Sequence, residues 1–400
     1  MAKAREIVGL NCEAEALSGI RLVLRTRFEE MYERRAEALN WEDIEGVHDM
    51  RVASRRLRSA IKDFRDFLGR RSVPKRRLKK VADALGDVRD QDVAIEALEK
   101  LRAEAGAEVS ADVGAGIDQL IEERAALRGG ARVKLAFIVA EKPLAELREN
   151  FLSRLESVGE AEGGKDGRKS RRSASRASSF RQAGRRVISA RIAELHDLSD
   201  SLHHPFDIEP LHELRIAAKR LRYAMELFAP CWGGTLTSYA HEVSELQSSL
   251  GELRDCDTWI DDLGARLDRN RRRPATDLTF GTANQGQIRQ AAVWLLDHFT
   301  KERGKHFRHA LARWHEWELT GFFAQLESVL DGEQQPPASE TDAAVVQEVP
   351  VVQEVSVVQT PEATIVQAVA PPPHVPDSEP QTDAPEPSVE TSPAHDNHVE

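Results

Sequence analysis

An eighteen-residue segment occurs twice in this chain, and that repetition constrains the fold more than any other feature. Val47–Phe64 reads VHDMRVASRRLRSAIKDF, and Leu211–Phe228 reads LHELRIAAKRLRYAMELF. His48, Arg51, Arg55, Arg56, Leu57 and Arg58 return as His212, Arg215, Lys219, Arg220, Leu221 and Arg222, at a constant offset of 164. A second pair follows in the same order: LKKVADALGDVRDQDV from Leu78 and VSELQSSLGELRDCDT from Val243, at an offset of 165. Apolar residues in both pairs recur at three- and four-residue spacing, the period of a helix packed on one face. The chain is therefore read as all-α, with two four-helix units related by internal duplication.

The helical period fills most of the first 330 residues. Segments at about 13–39, 45–69, 74 onward and 115–157 make the first unit, the last with breaks expected at Gly129-Gly130 and near Pro143. Pro74 suits the first turn of its helix. A Gly-, Ser- and Arg-rich stretch, about 159–178, reads as a flexible linker. Segments at about 179–203, 209–229, 235–269 and 285–329 repeat the arrangement, with a loop at 270–284.

Charge is divided along the chain. Residues 331–400 carry no Lys or Arg, 14 Asp and Glu, and 12 of the 18 Pro. The remaining 330 residues hold 56 basic and 67 − 14 = 53 acidic groups, a net of +3, so the overall −11 describes the tail. Such a segment cannot offset its ordering entropy and is expected to be disordered. Within it VVQEV recurs from Val345 and Val351, a linker or a docking motif for granule-associated proteins. Cys12, Cys231 and Cys256 have no metal spacing and suit a reducing cytosol. The first ten residues lack an apolar signal-peptide core, and no run reaches the length of a membrane span.

A heptad with Val47 at position a puts Met50, Ser54, Leu57, Ile61 and Phe64 on the seam. His48, Arg51, Arg55, Arg58, Lys62 and Arg65 then form one stripe on its flank. Its second copy is His212, Arg215, Lys219 and Arg222, ending at Glu226. Arg56 and Arg220 sit further from the seam. Gly86, Arg89, Gly251 and Arg254 take the same flank of the next helix pair. Asp92 and Asp257 fall on its core positions, where each R-D-x-D as an Arg–Asp clamp between helices is one reading. A basic stripe is usually a solvated face, but its preservation in register through a duplication argues for a ligand. Arginine forks hold phosphate oxygens bidentately and stay charged, so a row of them suits a polymer of repeated negative charge. Lys305 and Arg308, around His306 and His309, read as further basic lining or plain surface.

These motifs resemble the CHAD domain (conserved histidine α-helical domain): H-x-x-R-x-x-x-[RK]-R-L-R twice, each followed by L-G-[DE]-[VL]-R-D-x-D, over roughly residues 10–330. The resemblance implies two tandem antiparallel four-helix bundles facing across a basic groove. It also implies binding of inorganic polyphosphate and association with polyphosphate granules. The groove residues it assigns are His48, Arg51, Arg55, Arg58, His212, Arg215, Lys219 and Arg222, with Arg56 and Arg220 less securely. Lys62, Arg65, Lys79, Arg89 and Arg254 extend that set from the stripe itself. Ser244 in place of Lys79, and Glu226 in place of Lys62, predict an asymmetric groove.

No Glu-x-Glu-x-Lys signature of the CYTH triphosphatase often fused to this family is present. The expectation is a non-enzymatic, cytoplasmic polyphosphate-binding module without cofactor, metal or membrane partner. A phosphohydrolase or phosphotransferase, which needs a metal-binding carboxylate cluster, is one alternative. Nucleic-acid binding is the other, disfavoured by the scarcity of aromatic residues near the stripes.

Overall fold

The computed structural model describes residues 4–68, 73–105, 110–158, 178–271 and 282–332. The linker and the acidic tail lie outside the described residues, apart from the ends that border them. Every long element is helical: α1 Ala16–Glu33, α2 Arg35–Ala38, α3 Ile44–Asp63, α4 Lys75–Ala105, α5 Ala111–Ile138 and α6 Glu141–Glu156. After the linker come α7 Phe180–Asp197, α8 Ile208–Phe228, α9 Thr235–Arg271, α10 Thr282–Thr320 and α11 Phe322–Asp331. Short 3-10 turns follow α7 and α8, at Ser199–His203 and Ala229–Trp232. The repeated helices α3 and α8 begin at Ile44 and Ile208, the same offset of 208 − 44 = 164 seen in the sequence.

Local chemistry sets several of these boundaries. Asp43 caps α3 by accepting from the Glu45 amide, and Ser110 caps α5 through the Val113 amide. Ser179 and Gln182 form a reciprocal capping box on α7. Pro143 lies in the first turn of α6 and Pro210 in that of α8, where a missing N–H costs nothing. The break expected at Gly129-Gly130 is absent, and α5 runs through both glycines to Ile138. Each glycine costs a helix about 1 kcal/mol, but the long packed faces of α5 against α4 and α10 outweigh that. In the other direction α3 is shorter than its apolar pattern, ending at Asp63 in turns that carry Arg65.

The expected seams are the core. Val47, Met50, Ser54, Leu57, Ile61, Phe64 and Leu68 are all buried, as are Leu78, Val81, Leu85, Val88 and Ile95 of α4. Phe64 meets Phe180 and Phe228 at centroid distances of 6.2 and 5.9 Å, and those two rings lie 4.9 Å apart. Gly19 and Gly184 make room for this stack: a Cβ at either would fall within 2.6 Å of Phe180 or Phe228 ring atoms. Residues of both sequence repeats thus share one apolar cluster, spanning α1, α3, α7 and α8 and parts of the other helices. A second cluster joins Leu98, Leu101, Ile117 and Leu120 to Trp259, Leu263, Leu295 and Phe299, again mixing the repeats. Where α5 crosses α10, a Cβ at Gly116 would lie 2.2 Å from the Gln287 carbonyl oxygen, so only glycine allows that approach.

One expectation is corrected. Cys12 and Cys231 form a disulfide across a sequence separation of 219, with Cα atoms 5.5 Å apart. It ties the N-terminal segment to the turn after α8. Linear spacing could not show this, because packing of α1 against α7 and of α7 against α8 brings the two ends together. Cysteine usage therefore does not argue for a reducing compartment. No described helix is long and apolar enough to cross a membrane.

Candidate anion-binding site

Between α3, the start of α4 and α8 lies an open cavity of about 530 Å³. Arg55, Arg58, Lys62 and Arg65 enter from α3 and its C-terminal turn, Lys75 and Lys79 from α4, and Lys219 and Arg220 from α8. Its floor is Ile61, Leu78, Ile216 and Tyr223, on the flank of the apolar seams. Among the described residues, eight cations line this space and no Asp or Glu does. Such walls repel one another when the cavity holds only water, so the arrangement favours an occupant that supplies negative charge.

Lys219 reports this most directly. Half-buried, it faces Arg55 and Arg51 of α3 and Arg215 and Arg220 of its own helix. Burial and then those like charges push its pKa down to about 7. Residues from the stripes of both repeats therefore line one space. Beyond the cavity they continue to the two histidines. Arg51 donates from Nη2 to Asp90 at 3.2 Å, and the Asp255 charge acts on both Arg215 and Arg51. Burial, followed by the neighbouring Arg89, lowers the pKa of His48. Burial, followed by Arg254, does the same for His212. The lead histidines are thus held toward the neutral form in the ligand-free protein, each beside a cation that the sequence placed on the next helix.

The Arg–Asp clamp exists with different partners. Asp92 is 3% exposed and accepts from Arg128 of α5 at 3.4 Å. Asp257 is 2% exposed and accepts from Arg303 of α10 at 2.6 Å. Arginines of α5 and α10 thus pair with one oxygen of each seam carboxylate, while Oδ2 of both Asp92 and Asp257 is buried without a hydrogen-bond partner among the described residues. Arg89 and Arg254 act instead on the histidines. Arg51 and Arg215 lie across Gly86 and Gly251, where a Cβ would stand 4.0 and 3.8 Å from each Nε. These are ordinary contacts, so both glycines admit the arginines closely without being sterically required.

Several expected residues point elsewhere. Arg56 turns away toward α1, its Nη1 3.6 Å from Glu30 Oε1. Arg222 is 4% exposed, donating to Ser244 Oγ at 3.0 Å and lying 3.3 Å from Glu226. The two substitutions that predicted asymmetry therefore absorb the counterpart of Arg58, and the cavity takes most of its charge from the first repeat. Arg220 reaches the cavity while also pairing with Glu194. Lys305, paired with Glu302 at 2.5 Å, and Arg308 are exposed on α10 and do not line the cavity. The His306 and His309 rings on α10 are 6.5 Å apart. Lys75 was missed as a site residue, although the basic run after Pro74 pointed to it.

Among the described residues, one group brings three potential metal ligands within 4.8 Å of one another: Glu45, His48 and Asp49. Arg34 already holds Asp49 at 2.5 Å, and Glu45 lies in the first turn of α3. The helix N-terminus accounts for Glu45 and the Arg34 ion pair for Asp49.

Fold and site together define the class, an all-helical protein with two histidine-led arginine helices bordering one cation-lined cavity. The chain belongs to the CHAD domain family, whose model matches residues 22–264. Among solved structures, the CHAD domain from the plant Ricinus communis matches with a TM-score of 0.56 at 19% identity. That match covers 78% of this chain and 95% of the plant domain. No curated protein matches the sequence.

Proposed function

We propose that this protein binds inorganic polyphosphate non-enzymatically, in the cavity between α3, α4 and α8. On this reading the chain is a duplicated pair of four-helix units facing across a basic groove, whose deepest part is the cavity. One observation carries it: eight cations from α3 and its C-terminal turn, α4 and α8 converge on one space whose described lining includes no carboxylate. A polymer with one negative charge per short repeat neutralises such a row, and arginine forks donate to its oxygens without reading sequence. Among the described lining residues Tyr223 is the one aromatic ring, so little there would stack nucleic-acid bases. Association with polyphosphate granules in the cytoplasm is part of this proposal. The test adds polyphosphate with Mg²⁺ or Mn²⁺ to the purified chain. Retention of intact polymer supports the proposal, whereas release of orthophosphate assigns a hydrolase instead.

Lys219 makes the binding pH-dependent. A bound polyanion favours its charged form, so binding takes up a proton above pH 7. Affinity is expected to fall as pH rises from about 7 towards the ordinary lysine value of 10.5. Folding stability moves the other way over that window, because the unfolded chain holds the lysine proton that the folded chain has lost. Titrations and thermal melts at pH 6.5 and 9, run side by side, check the opposed signs.

A further inference from the structure

A second cavity, about 380 Å³, adjoins the first between the C-terminal turn of α3 and α7. Lys62 and Arg65 line both. We propose that a polyphosphate chain leaves the first cavity over the end of α3 and is held again in the second, by Lys62, Arg65 and Arg186.

The charges of the second cavity sort into two groups. Its inner carboxylates are matched: Arg191 holds Asp63 at 2.7 Å and Glu194 at 2.5 Å, and Arg220 pairs with Glu194 as well. The outer cations are less engaged. Arg65 is exposed and 3.6 Å from an equally exposed Asp66. Arg186 is exposed, donates to Ser178 Oγ at 2.6 Å and lies 5.6 Å over the Phe67 ring. Neither Arg186 nor Lys62 makes an ion pair among the described residues, so both can give donors to an anion.

The route runs one way. In the second repeat the corresponding positions are Glu226 and Ser244, and residues 223–253 contain no Lys or Arg. In the first repeat that stretch of sequence carries Lys62, Arg65, Lys75 and Lys79, which reach the first cavity. A chain too short to pass the end of α3 gains nothing from the second cavity. The protein therefore distinguishes chain length, and Arg186 carries the difference.

This rests on the polyphosphate reading of the first cavity. The test compares tripolyphosphate with long-chain polyphosphate on the wild-type chain and on Arg186→Glu, with circular dichroism to confirm folding. Arg289→Glu, exposed on α10, controls for general charge reversal. The expected result is a loss of about tenfold or more for the long chain with the Arg186 variant, and tripolyphosphate affinity within about twofold. An equal loss for both ligands, or the same loss with the Arg289 variant, makes Arg186 part of a general field and overturns the proposal. No loss for either ligand overturns the second cavity alone. Failure of the wild-type chain to bind either one overturns the first-cavity reading and this one with it.

Discussion

Replacing Arg55, Arg58 and Lys219 together by alanine is expected to lower polyphosphate affinity at least about a hundredfold. Each removed cation forfeits a charge-assisted hydrogen bond worth about 1.5–3 kcal/mol, and about 1.4 kcal/mol is a tenfold change. The lower bound allows for the exposure of Arg58 and for partial compensation by the five cations that remain on the walls. The same variant should melt no lower than the wild type, and slightly higher if Lys219 dominates. That lysine is held below its ordinary pKa by burial and by four arginines, so its removal relieves repulsion. Loss of binding together with loss of fold would reverse this assignment, making the three residues scaffold. Isothermal titration and a thermal melt on one preparation separate the outcomes.

The largest stability effect is expected at Asp257. Its carboxylate is 2% exposed and its Oδ1 lies 2.6 Å from Arg303 Nε, a guanidinium whose side chain is 12% exposed. Asp257→Ala leaves that cation buried without its partner, a change that costs about 3–5 kcal/mol. Its counterpart Asp92 is bonded more loosely, to Arg128 at 3.4 Å with 27% of the arginine side chain exposed. Asp92→Ala should therefore cost distinctly less. Replacing both Asp257 and Arg303 by apolar residues of similar volume should recover most of the loss, because desolvation offsets much of what a buried pair gains. Chemical denaturation of the three variants provides the ranking. Equal losses at Asp92 and Asp257, or no recovery in the double variant, would contradict the clamp.

Seams and registers were legible in the sequence because they depend on one helix at a time. Every seam position assigned to α3 is buried, and α8 begins at the register the repeat dictates. Partner choice was not legible, because it depends on which helix lies across. The heptad placed Asp92 and Asp257 in the core correctly, yet the arginines that pair with them come from α5 and α10, far along the chain. Arg56 and Arg222 illustrate the same limit. Rotation about the helix sets their direction, but Glu30 on one side and Ser244 with Glu226 on the other decide what they bind. The continuous run of α5 through Gly129 and Gly130 is a tertiary effect overriding local propensity. The disulfide between Cys12 and Cys231 is a further product of packing.

The central claim is that the cavity takes polyphosphate in preference to other polyanions. Titrating the purified 400-residue chain with polyphosphate, RNA and DNA at two salt concentrations tests it most directly. The account predicts tight polyphosphate binding at low salt that weakens as salt screens the cavity walls, with polyphosphate displacing RNA and DNA far better than the reverse. Polyphosphate binding no stronger than that of the nucleic acids, or absent at low salt, would contradict it.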